Sequence, residues 1–117
     1  MKLFHLADAH YQQLLPQIGT KRHGGEDPRA VGVPVVWLAN DQAMRAQGPN
    51  GEVPQYQHEV DVADDDPDLF IDEPFAAMME QGDKVFGTKT TLRWYFLKRA
   101  IDVVVVRRWD AARNDYV

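Results

Sequence analysis

The run Val33–Ala39, reading Val-Pro-Val-Val-Trp-Leu-Ala and halting at Asn40-Asp41, constrains the fold more than any other stretch of this chain. Val35, Val36, Trp37 and Leu38 have high strand preference, and an apolar run without alternation is what a strand buried on both faces looks like. Asn40-Asp41 is turn or cap chemistry, able to open a short helix through about Gln47 that the turn signal Gly48-Pro49-Asn50-Gly51 closes. The alternative is that this strand end presents Trp37 or Asn40 to a pocket. A chain of 117 residues, 44% hydrophobic, can surround such a strand with one sizeable core and is too short for two ordinary domains. The expectation is a single domain over residues 1–110, with 111–117 as a C-terminal tail.

Other elements follow from pattern. Leu3–Ala7 is a short apolar run consistent with a buried strand, and Asp8 is placed to cap a helix behind it. Tyr11, Leu14, Leu15 and Ile18 have the spacing of one helical face, which Pro16 should kink or end. Residues 19–32, rich in glycine and charge, read as a long surface loop. From Tyr56 to Val62 the sequence alternates, with Tyr56, His58, Val60 and Val62 on one face and Gln57, Glu59 and Asp61 on the other, the mark of a half-buried strand. Asp64–Asp68 is a solvated turn; Asp72-Glu73-Pro74 opens a short helix with Phe75, Met78 and Met79 inward, and Gly82 is expected to end it. Two more strands are expected at Thr91–Leu97, which could equally be helical, and Asp102–Arg108. The order of elements indicates an α+β fold with a largely antiparallel sheet.

Charge and composition narrow the chemistry. Glu59–Asp83 holds ten acidic residues and no Lys or Arg, while Lys84–Arg113 holds eight basic residues against Asp102 and Asp110. Either the basic third meets a phosphate or nucleic acid, or the two segments neutralise each other across the folded surface. The chain has no serine and no cysteine, which excludes serine and cysteine hydrolases, disulfides and thiolate metal sites. No phosphate-wrapping Gly-Lys-Ser/Thr loop is present. His5, His10, His23 and His58 lack paired-ligand spacing, and the acidic run lacks the central glycine and terminal Glu of a calcium loop, so no metal is expected. No apolar run reaches the ~20 residues of a bilayer crossing, and the polar turn after Leu6 is too early for a signal peptide. A soluble, cytoplasmic protein is expected.

One arrangement stands out. A histidine lies in the first strand (Leu3-Phe4-His5), a tryptophan in a middle strand (Val36-Trp37-Leu38), and Arg93-Trp94-Tyr95-Phe96 precedes the last strand. This order resembles small bacterial and phage proteins of the ADP-ribosyltransferase-like fold, a superfamily that includes RNA 2′-phosphotransferases. The resemblance spans most of the chain as an order of elements, and its motifs are short. It implies an ADP-ribosyltransferase-like sheet, NAD or a related nucleotide as ligand, and transfer of ADP-ribose to a protein or RNA acceptor. It also implies a cleft formed by His5, Trp37, Arg93 and Tyr95, with His5 holding a ribose hydroxyl. The bland alternatives are a core histidine bonded to backbone and a core tryptophan. Where the family pattern often has an acid before Trp-Tyr, this chain has Arg93, which can grip phosphate but opposes a developing ribosyl cation. Glu59, with Glu73 as the other candidate, would have to supply that acid. The rival expectation is a non-catalytic binding or inhibitor protein that meets a protein partner through its acidic loop or basic edge.

Overall fold

A computed structural model describes residues 1–18, 27–43 and 51–117. The chain forms one α+β domain: β1 (Lys2–Ala7), β2 (Gln13–Leu14), β3 (Val36–Ala39), β4 (Tyr56–Asp61), β5 (Leu69–Ile71), α1 (Glu73–Phe86), β6 (Trp94–Leu97), β7 (Ile101–Asp102), β8 (Val105–Asp110) and β9 (Asp115–Tyr116). Seven strands form one sheet in the order β5-β6-β3-β1-β4-β8-β9, and β2 pairs with β7 in a second, two-stranded sheet. Every pairing is antiparallel.

The expected apolar strands occupy the middle of this sheet. β1 pairs with β4 in six registered positions, from Lys2 opposite Asp61 to Ala7 opposite Tyr56, and with β3 on its other side at Phe4 opposite Ala39. Leu3, Val36, Leu38, Val60 and Leu97 join Leu14 and Ile101 of the two-stranded sheet in one buried cluster, against which Leu69, Tyr95 and Val103 also pack. On the opposite face the rings of Trp37 and Phe96 lie 5.4 Å apart, and Phe70 stacks on Phe96 at the same separation. The Arg29 guanidinium sits 5.0 Å from the centre of Phe70 and 5.5 Å from that of Phe96. It is held there by the buried Asp27 carboxylate and by the Ile71 carbonyl. Hydrogen bonds from the Arg29 side chain, above all, hold the Asp27 carboxyl down at a pKa of about 2. The part of the expected surface loop that is described, residues 27–32, is thus fastened to the sheet; residues 19–26 lie outside the described residues, as does the part of the expected helix beyond Ala43.

Several local expectations are corrected. Residues 8–18 contain no helix: Gln13 and Leu14 pair with Asp102 and Ile101, and Gln17 bridges to Val35. Tyr11, Leu15 and Ile18, three of the four residues of the supposed apolar face, are exposed, and only Leu14 is buried. Pro16 makes a helix costly here, and the segment gains its hydrogen bonds from strands remote in sequence instead. β4 is not half-exposed, because Gln57 and Glu59 are as buried as His58 and Val60. The helix begins as expected, with Asp72 as N-cap accepting the Phe75 amide, yet it runs through Gly82 to Phe86. An interior glycine costs only about 1 kcal/mol, and the left-handed stop is supplied by Gly87 at φ 66°. Phe75 is its only buried residue, and Met78 is exposed. Residues 111–117, set apart in the sequence as a tail, turn back through Asn114 at φ 53° to form β9. There Tyr116 is buried, stacks edge-on against Trp109 at 5.1 Å and donates its hydroxyl to the Pro54 carbonyl at 2.7 Å.

Phe96 is fully buried between two rings, whereas Phe86 at the end of α1 is 79% exposed. Phe96→Ala is expected to lower the unfolding free energy by about 3–5 kcal/mol, and Phe86→Ser to change it by less than about 0.5 kcal/mol. Urea denaturation of the two variants checks this; equal effects would show that the aromatic stack is not a core.

Candidate functional site

The geometry of interest starts where β1 and β3 stop pairing. After Phe4 opposite Ala39 the ladder between them ends, and the Trp37 carbonyl accepts the Nδ1–H of His5 at 2.8 Å. Beyond this point lies a groove of about 410 Å³. Its apolar lining comes from Leu6, Leu14, Leu15, Val35, Val36 and Pro54, and its polar lining from His5, Asp8, Tyr11, Gln13 and Gln17. The residues 8–18 that fail to form a helix thus build one wall of it. An apolar base with a few convergent polar groups is the usual composition of a small-molecule site.

His58, directly opposite His5 in the β1–β4 register, braces this wall. Its Nδ1–H donates to the His5 carbonyl at 3.2 Å, and its Nε2 accepts the Tyr11 amide at 3.0 Å. Two backbone groups, one acceptor and one donor, therefore fix a neutral imidazole with the proton on Nδ1. Burial pushes the His58 pKa below its ordinary value; the bond to the His5 carbonyl opposes this, and the nearby His5 and His10 rings add to it. His10 and Tyr11 complete the surround, with ring centres 6.4 and 5.5 Å from that of His58. Both ring nitrogens of His58 are engaged, and among the described residues no group of His, Asp or Glu side chains is arranged to hold a metal ion.

The residues singled out from the sequence do not converge on this groove. His5 lines it, with the backbone bond of the bland alternative. Trp37 is also in its lining, but its indole packs on Phe96 on the far face of the sheet. Arg93 lies beyond the other end of β3, its amide on Asn40 Oδ1 and its guanidinium on the carbonyls of Thr90 and Leu92. Tyr95 packs against the buried cluster. Glu59 is buried in an ion pair, accepting Arg107 Nη2 at 2.9 Å. Alternation sends it to the face opposite His58, so it cannot reach what His5 reaches. Tyr11, Asp8, Gln13 and Gln17 were missed because their segment reads as helix, and His58 because its strand position gave no hint that its ring meets the Tyr11 amide.

Some of the charge in the remaining segments is paired across the fold. Arg99 pairs with Asp66 and lies 3.8 Å from Asp68, tying the acidic turn to the chain after β6. The Arg99 side-chain hydrogen bond holds the Asp66 pKa below its usual range. With Glu59–Arg107, these contacts join the acidic and basic thirds at two basic residues. Among the described residues of the groove lining there is no Lys or Arg, and Asp8 is the carboxylate.

Glu59 depends on Arg107, because its buried carboxylate has the partly exposed guanidinium as its counter-charge. Arg107→Met is expected to cost about 3 kcal/mol by leaving the Glu59 carboxylate buried without its counter-charge, and the double variant Glu59→Leu with Arg107→Met to recover most of that loss. Chemical denaturation of the single and double variants measures the coupling.

Comparison of the chain with protein-family models, curated proteins and solved structures finds no match.

Proposed function

We propose that this chain is a non-catalytic binding domain whose groove at the parted ends of β1 and β3 takes a small ring-containing molecule that is neutral or cationic. The observation that carries this reading is the lining: an apolar base, hydrogen-bonding groups from His5, Tyr11, Gln13 and Gln17, the Asp8 carboxylate, and no described cation. A flat ring would bury apolar surface against Leu14, Val35 and Val36, while the amides and the imidazole edge accept and donate around it. A pyrophosphate would find no guanidinium or ammonium among these residues and would face Asp8. ADP-ribose transfer keeps His5 as its support in the groove, and the dispersal of Arg93, Tyr95 and Glu59 weighs against it.

The test is a thermal-shift series with nicotinamide, tryptamine, NAD and AMP, followed by mapping of backbone amide shifts. A ligand present at a hundredfold excess over its Kd stabilises the folded state by about 2.7 kcal/mol. The expected result is a saturable rise with nicotinamide or tryptamine, with amide shifts at His5, Asp8, Tyr11 and Gln13. Tighter binding of NAD or AMP than of either would restore the nucleotide reading. No saturable response to any of the four would remove the groove as the functional site and direct the search to a macromolecular partner.

A further inference from the structure

The groove wall is fastened to the sheet through a titratable acceptor. The Tyr11 amide donates to His58 Nε2 at 3.0 Å, and the other ring nitrogen is already committed to the His5 carbonyl. We propose that proton uptake by His58 releases the Tyr11 segment from β4 and so makes the shape of the groove depend on pH. This rests on the groove being the functional site only for its consequence; the switch itself is a property of the unliganded chain.

The geometry leaves His58 no way to charge in place. A second proton must go on Nε2, where it would meet the Tyr11 N–H, two donors facing each other across 3.0 Å. The imidazolium therefore either loses that hydrogen bond or does not form. The His5 bond differs, because its Nδ1 is the donor to the Trp37 carbonyl and that bond needs no acceptor nitrogen. The groups facing His58 are His5 from β1, His10 and Tyr11 from the groove wall, and Tyr56 from its own strand, with Val106 opposite it on β8. Arg108, opposite Tyr56, carries positive charge on the same face, and Asp8 is the carboxylate of the wall segment. The positive charges among these neighbours, on Arg108 and on His5 or His10 when protonated, oppose a charged His58. The ring accordingly stays neutral until the pH falls below its ordinary value, and burial moves the threshold in that same direction. The sign is fixed: the Tyr11 bond is complete at and above neutrality and is lost as the pH falls through the depressed pKa.

The experiment is a proton NMR titration of the unliganded protein from about pH 8 to about pH 5, spanning the ordinary histidine range. It follows the His58 ring signals and the amides of Tyr11, Leu38 and Val60. The expected result is one shared midpoint for the His58 ring and the Tyr11 amide. As the pH falls toward it, Tyr11 exchange, corrected for its intrinsic pH dependence, speeds up by about tenfold per pH unit and then levels off below it, while Leu38 and Val60 stay protected. The idea is overturned if His58 titrates without the Tyr11 amide following, if His58 stays neutral throughout, or if Tyr11 loses protection only together with Val60 in global unfolding. His10→Gln assigns the transition: it should persist there, and its disappearance would transfer the titration to His10 and sink the proposal. Because no ligand is present, failure of every compound to bind the groove would leave this result readable.

Discussion

The antiparallel pairing of β1 with β4 is the constraint from which the rest of the fold follows. It joins residues 2–7 to residues 56–61, so the first strand made becomes the middle of the sheet only after half the chain has been placed. Closing so long a loop costs entropy that the ladder alone does not recover; burial on both sides of β1 and β4 must offset it. Leu3 and Val60 supply that on one face. On the other, Phe4 stands opposite Glu59, and the amino terminus bonds to Asp61 and to the Val62 carbonyl at the strand end. The register also sets His5 beside His58, so the one pairing that organises the core places His5 in the lining of the groove and His58 against the Tyr11 amide behind it.

Burying the second face required a polar solution. An alternating strand with Gln57 and Glu59 on one side ordinarily leaves that side in water. Here Arg107, from the strand paired with β4, donates to Glu59 and approaches Gln57 Oε1 at 3.4 Å, while Gln57 Nε2 donates to the Gln42 carbonyl. A buried ion pair of this kind adds little net stability compared with apolar residues. Its effect is on register: a slip of β8 by one residue would turn Arg107 to the other face and leave Glu59 buried without a counter-charge.

How much of this was legible depended on whether the signal was local. The strands at Leu3–Ala7 and Val33–Ala39 were visible because consecutive apolar residues need no partner to be recognised, and the helix start at Asp72-Glu73-Pro74 because the amide donor its cap accepts lies only three residues away. The segment 8–18 misled because Tyr11, Leu14, Leu15 and Ile18 have helical spacing by coincidence, while its true structure is two residues of strand and one bridge, held by Ile101, Asp102 and Val35 from elsewhere. No period can announce a two-residue strand. The same limit applies to the site. Sequence order placed His5, Trp37, Glu59, Arg93 and Tyr95 on successive strands, but which end of a strand and which face of the sheet each occupies is set by register, and those two facts scatter four of the five.

What remains at the groove has a common origin in incomplete pairing. β1 and β3 share one ladder position, and beyond it the carbonyl of Trp37 accepts an imidazole N–H. The Tyr11 amide, on a segment too short and too proline-bound to form a helix, finds an imidazole in the same way. Side chains that stand in for backbone partners carry chemistry the backbone lacks, because an amide does not titrate and a histidine does. Where the ladder is whole, as between β1 and β4, the pairing rests on amides and carbonyls that do not titrate. Where the imidazole is the acceptor, as at Tyr11, a proton competes with the bond; where it is the donor, as at Trp37, none does, and among the described residues both bonds sit at the same groove.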